Sequence, residues 1–122
     1  MIAQGDVLLI PLSDLKVETL APIKREAGKV VLAHGEVTGH SHAIADAGAR
    51  LFEPKGRCSF YIEGNQELQL DTAGLGVSVL EVTNQPVTLL HEEHGPHEIA
   101  PGKYLVIRQR ERSLLDWRAV AD

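Results

Sequence analysis

Short apolar runs rich in β-branched residues recur along the chain between glycine, proline and Asn/Asp punctuation. This rhythm predicts an all-β sandwich or barrel of about eight short antiparallel strands. The runs are Asp6 to Leu12, Lys29 to His34, His40 to Ala45, Arg50 to Glu53, Arg57 to Glu63, Gly76 to Thr83, Pro86 to Glu92 and Lys103 to Glu111. Before the C-terminus no stretch sustains a 3.6-residue period over three turns with caps, so a helical bundle is disfavoured. The run from Pro86 is apolar on both alternating sets, Val87 and Leu89 against Leu90, which predicts a strand buried on both sides.

Two segments break the pattern. Ser13 to Gly28 is polar, contains Pro22 and has no clean period, so it reads as a long polar loop, a candidate lid. At the other end, Ser113 is placed to cap a short helix in residues 113–122, with Leu114, Trp117 and Ala121 on one face; an irregular tail is the other reading. No repeat or low-complexity run is found. Residues 1–122 therefore read as a single β domain.

Composition narrows the function classes. At 122 residues the chain is too short for a TIM barrel or a doubly wound nucleotide-binding fold. Aromatic residues make up only 4% of it, so Val, Leu, Ile and Ala must fill the core. Seventeen acidic against twelve basic residues give a net charge of −5, which argues against a nucleic-acid partner. Arg108, Arg110 and Arg112 form a locally basic strand, read as an exposed face. The apolar run Val7 to Leu12 is too short for a signal or membrane segment, leaving a soluble, cytoplasmic protein as the expectation. Cys58 is the single cysteine; it alternates with Phe60 and Ile62 on one strand face, as a buried structural thiol would.

Six histidines fall in two stretches only, Ala33 to Ala43 and His91 to Glu98. Residues two apart on a strand share a face, so His40 and His42 present adjacent imidazoles, a spacing compatible with one metal ion. Gly35 and Gly39 bracket a turn that brings His34 back beside this pair, as a third ligand or as a supporting partner. In the second stretch His91 ends a strand, while Gly95 and Pro96 leave His94 and His97 on a loop at its mouth. A divalent Zn, Fe, Mn or Ni ion needs three or four donors, more than one strand supplies, and a distant second cluster meets that need. The expected ligands are His40, His42, His91 and His94, with His34 and His97 as secondary candidates. Asp46, Glu92 and Glu93 are candidates for a carboxylate ligand or general base.

Gly39-His40-Ser41-His42 followed by Asp46 resembles the first motif of the cupins, small jelly-roll barrels that hold a metal through paired histidines, a carboxylate and a later histidine. The resemblance implies a metal site in which Asp46 is the carboxylate and His91 the distant histidine. It departs from the pattern in having Asp for the usual Glu, in the register of the glycine after it, and in Ala100-Pro101-Gly102 following the last histidine instead of preceding it. The chain is also similar, in Ala33 to His42, His91 to His94 and Pro101 to Glu111, to a set of short uncharacterised bacterial and phage-associated proteins.

These readings converge on a small β protein that binds one transition metal and a small-molecule ligand at that metal, with an uncovered strand edge open to homodimerisation. Whether the metal is catalytic is left open by the sequence. The alternative is a nonenzymatic interaction or pH-responsive module whose histidines form a binding rim.

Overall fold

The computed structural model describes residues 1–35, 37–62 and 66–109. Twelve strands run through them, all paired antiparallel, in two sheets that pack as a sandwich and do not close into a barrel. The larger sheet contains β1 (Ile2–Gln4), β2 (Val7–Lys16), β3 (Thr19–Ile23), β6 (Ala49–Lys55), β7 (Arg57–Ile62), β8 (Gln66–Asp71), β9 (Ser78–Val82) and β12 (Gly102–Arg108). Its order is β3-β6-β9-β12-β2-β7-β8. One edge of β2 is shared: β1 pairs with Val7 to Leu9, and β7 pairs with Leu12 and, past a bulge, with Asp14 to Lys16. The smaller sheet, in the order β11-β10-β5-β4, contains β4 (Val30–His34), β5 (Ser41–Ile44), β10 (Val87–Leu90) and β11 (His97–Ile99).

The continuous apolar run of β2 has a direct cause. Val7 and Leu9 enter a core shared with the smaller sheet, where they meet Val30, Ile44, Leu89 and Ile99. Leu8, Ile10 and Leu12 point to the opposite face and join Phe60, Leu68 and Val79 in a second core. Strands β9 and β12 divide in the same way, with Leu80 and Val106 in the first core and Val79 and Leu105 in the second. Leu20 and Phe52, from one end of the large sheet, pack in the cluster that holds Phe60 and Leu68 from its other end, so the sheet is strongly curled.

Several expectations are corrected. Ser13 to Gly28 is not a loop: it holds the end of β2, all of β3 and a two-residue bridge between Glu26 and Lys29. Proline obscured β3, and Pro22 is tolerated there because the strand lies at the sheet edge. The chain turns back at Ala27 and Gly28, both with positive φ. Arg25 ties this turn down by donating to the carbonyls of Gly28, Asp46 and Ala49. Strands β1 and β11, three residues each, and β8, with only Leu68 and Leu70 as apolar positions, were also missing from the expected eight. Strand β10 is buried on one side only, since Leu90 is 49% exposed. The expected helix or tail at 113–122 lies outside the described residues. Among the described residues no helix is long and apolar enough to cross a membrane.

Cys58 sits in the second core as expected, its Sγ 3.5 Å from the Gly56 carbonyl. Burial is the main cause that pushes its thiol above the usual range. Native protein should therefore leave Cys58 unreacted with a thiol-specific disulfide reagent at pH 8 and release one equivalent on denaturation; stoichiometric reaction in the native state would refute this placement.

Candidate metal centre

Three chain segments meet at one end of the sandwich. The first is the β4–β5 hairpin, where the Gly35 N–H donates to the His40 carbonyl at 2.8 Å and Gly39 turns with φ 85°. Ala33 pairs with His42, and both are buried. The second segment is the connection from β10 to β11. Leu90 pairs with Ala43, so continuing the antiparallel register one step sets His91 opposite His42. The third is the β1–β2 turn, Gln4, Gly5 and Asp6, which sequence reading did not connect with the histidines.

The rings of His42 and His91 have centroids 4.2 Å apart, those of His91 and His94 4.7 Å, and those of His42 and His94 6.2 Å. His40 adjoins His91 at 5.9 Å, edge to face. All four line a cavity of about 230 Å³ with Asp6, Gly35, Val37, Glu93 and Arg108. Backbone approaches closely here: a Cβ at Gly5, where φ is +55°, would lie 2.7 Å from His94 Nε2 and 3.1 Å from His42 Cε1. A side chain at this position would strain the backbone and press on those rings.

Gln4 organises the interior side. Its buried Nε2 donates to the carbonyls of Leu89 at 3.1 Å and Gly95 at 2.9 Å. Two carbonyl acceptors settle which end of the amide is nitrogen, so Oε1 faces His42 Nδ1 at 2.9 Å and must accept from it. His42 is thereby held in the Nδ1–H tautomer, with the Nε2 lone pair unprotonated. Burial, then the neighbouring His91, His94 and Arg108, lower its pKa from the usual 6.5 to about 4, against an opposing pull from Asp6.

The sign of that shift makes a prediction for metal-free protein. The unfolded chain takes up a proton at His42 near pH 6.5 and the folded chain only near 4, so stability held above 6.5 is lost as pH falls towards 4. Melting temperature should fall across that window more steeply than in His42→Gln. Parallel pH profiles for the two proteins would contradict it.

The carboxylates divide between roles. Glu92 is exposed; its Oε1 accepts the Ser41 N–H at 2.9 Å, and that backbone hydrogen bond is the main cause holding its pKa below the usual range. Donor atoms of His40, His91 and Glu92 lie within 4.8 Å of one another, close enough to share one ion. The Glu93 N–H donates to His91 Nδ1 at 3.0 Å, and Glu93 Oε1 lies 3.7 Å from His40 Nδ1, a buried nitrogen with no hydrogen-bond partner.

Other candidates stand apart. Asp46, which the cupin resemblance puts on the metal, lies beyond the far end of β5, roughly 13 Å along the chain from His42 at about 3.3 Å per residue. Its Oδ1 accepts the Thr88 N–H there. His34 points out of the sheet, with its Nε2 3.1 Å from Glu26 Oε1; the same alternation that buries Ala33 turns it away from His42. His97 is not on a loop: it lies in β11 opposite Leu89 and does not line the cavity. Arg108, read as part of an exposed face, is a cavity residue bonded through Nε to Asp6 Oδ2 at 2.6 Å. Arg110 and Arg112 lie outside the described residues.

Fold and site together define a small antiparallel β-sandwich with a histidine-lined cavity at one end. The chain belongs to the family described as Domain of unknown function (DUF8820), whose model matches residues 3–109, a span that includes every residue of the cavity. No curated protein and no solved structure matches the chain.

Proposed function

We propose that this protein binds one divalent transition-metal ion through imidazoles of His40, His42, His91 and His94. The observation that carries this reading is the spacing of three rings. Centroids of His42, His91 and His94 separated by 4.2, 4.7 and 6.2 Å share a common centre about 3.1 Å from each. An ion 2.0–2.1 Å from a ring nitrogen sits about 3.2 Å from that ring's centroid. The His42 lone pair, kept unprotonated by Gln4, supports the same reading, since metal-bound histidines generally donate their other N–H to an oxygen.

The rings now lie 15° to 44° from parallel, flatter against one another than ligating imidazoles are. Loading turns them edge-on, which the exposed loop carrying His94 permits. His91 gives up a hydrogen bond in the process. While its Nδ1 accepts from Glu93 its proton is on Nε2, so coordination through either nitrogen breaks that bond. A binding rim needs exposed rings, and the burial of His42 at 3% exposure disfavours that alternative.

The test is titration of metal-free, isotope-labelled protein with Zn²⁺, followed by amide NMR. Saturation at one equivalent is expected, with histidine ring signals shifted and the Glu93 amide among the largest backbone changes. Unchanged spectra at excess zinc, and equally with Ni²⁺ or Co²⁺ by absorbance, would refute the reading.

A further inference from the structure

The donor atoms at this end of the sandwich fall into two overlapping sets. His91 belongs to the ring trio with His42 and His94, and its donor atom also lies within 4.8 Å of those of His40 and Glu92. The rings of His40 and His91 stand 5.9 Å apart. Two imidazoles on one ion, each centroid about 3.2 Å from it, can span up to roughly 6.4 Å. Two further observations point to a cation at the second set. His40 Nδ1 is buried and has no hydrogen-bond partner among the described residues, so a donor atom is held out of water with nothing to bind. Glu92 is set in place by the Ser41 N–H on its Oε1 at 2.9 Å, and a carboxylate has about four lone-pair sites, so it keeps the capacity to take an ion.

We infer that the cluster offers two alternative seats sharing His91, and that the outer one, formed by His40, His91 and Glu92, takes a harder divalent ion, Mn²⁺ or Fe²⁺. This rests on the metal-binding reading above and specifies which ion each part of the site holds. The chemistry of the donors separates the seats. Around His42, buried and held by Gln4, the donors are imidazoles alone, which suit Zn²⁺ and Ni²⁺. The outer set adds a carboxylate to two imidazoles and leaves further positions open, the arrangement that suits Fe²⁺, while carboxylate and water suit Mn²⁺. A neutral His91 has one lone pair to give, so the seats fill one at a time and one ion per chain remains the stoichiometry. Glu92 is exposed and His40 half-buried, which makes the outer seat the looser of the two. Mn²⁺ is also the weakest binder of its series, so zinc entering beside His42 displaces it.

The experiment uses full-length, untagged, metal-free protein, titrated with Mn²⁺ by water-proton relaxation and with Zn²⁺ by calorimetry. Glu92→Gln keeps an oxygen for the Ser41 N–H and removes the anionic donor. It should weaken Mn²⁺ binding at least about ten-fold and change Zn²⁺ affinity by less than about two-fold. His94→Ala, on the exposed loop, should do the reverse, weakening Zn²⁺ and leaving Mn²⁺ within about two-fold of wild type. Each variant keeps one ion at wild-type strength, which shows that it folds. Zinc added to the manganese form should release Mn²⁺ one for one. Absence of Mn²⁺ binding, unchanged Mn²⁺ affinity in Glu92→Gln, or parallel loss of both ions in both variants overturns the inference and leaves metal binding standing. Simultaneous binding of Mn²⁺ and Zn²⁺ likewise overturns it, because His91 cannot serve both. Binding of neither ion refutes metal binding itself, and the assignment of seats with it.

Discussion

His42→Ala should lower transition-metal affinity by at least about 100-fold. Loss of an outer partner to a metal-bound histidine typically costs 10–100-fold, and loss of the ligand itself removes a bond to the ion. His42 is the ring with the most determined geometry: it is 3% exposed, bonded to Gln4 at 2.9 Å, and central to the ring cluster. Because His42 is buried, its truncation also disturbs packing, so His94→Ala is the companion variant. His94 lies exposed on the loop after β10, and its removal should change the stability of metal-free protein by less than about 0.5 kcal/mol while weakening metal binding by a comparable order. Calorimetric titration of both variants with Zn²⁺, beside denaturant unfolding of the metal-free forms, separates the two effects. Wild-type affinity in both would contradict the assignment.

Gln4→Leu is expected to have the largest effect on the fold. The substitution keeps the approximate size of the side chain and removes every polar atom. It leaves the buried Leu89 carbonyl, the Gly95 carbonyl and His42 Nδ1–H without the partners they have now. Each abandoned buried group costs about 1–3 kcal/mol, with the more exposed Gly95 carbonyl recovering water, so a loss of about 2–4 kcal/mol in unfolding free energy is expected. Metal affinity should fall about 10–100-fold as well, because nothing then holds His42 in the Nδ1–H tautomer. Urea denaturation of metal-free protein measures the first effect and metal titration the second. A Gln4→Leu protein with wild-type stability would show that the amide bridge is not structural.

The central strands and the histidines were legible in the sequence because their signals are local. Runs such as Val7 to Leu12 and Lys103 to Arg108 carry enough branched aliphatic residues to declare a strand, and buried pairing across β2 and β12 follows from their apolar content. His40 and His42 face the same cavity although His40 precedes β5, and the Gly35–Gly39 turn forms as its glycines suggest. Long-range information was illegible. That Leu90 pairs with Ala43, which sets His91 opposite His42, depends on a pairing of strands distant in sequence that no local pattern encodes. Gln4 reads as an ordinary polar residue in a three-residue strand, and its role emerges only when β10 and the loop at Gly95 close over it. Asp6 and Arg108, 102 residues apart, are joined by the pairing of β2 with β12. His34 and Asp46 misled for the opposite reason: both are near the histidine pair in sequence, but strand alternation turns one outward and strand length carries the other away.

The carboxylates show how burial and hydrogen bonding assign roles that spacing leaves equal. Glu92 and Glu93 are adjacent and both were candidates for a base. Glu92 is drawn to the Ser41 N–H and stays beside His40 and His91, whereas Glu93 offers its backbone N–H to His91 and its carboxylate towards His40. Glu92 is the carboxylate whose donor atom lies within reach of an ion shared with two histidines.

The central claim is that the rings gathered at this end of the sandwich hold a metal. Its most direct measurement is elemental analysis of untagged protein before and after equilibration with zinc and removal of unbound ion. The account requires one transition-metal ion per chain in the equilibrated protein and much less than one in the His42→Ala, His94→Ala double variant. Protein that retains no zinc, nickel, manganese or iron after equilibration, or a double variant that retains as much as wild type, would contradict it.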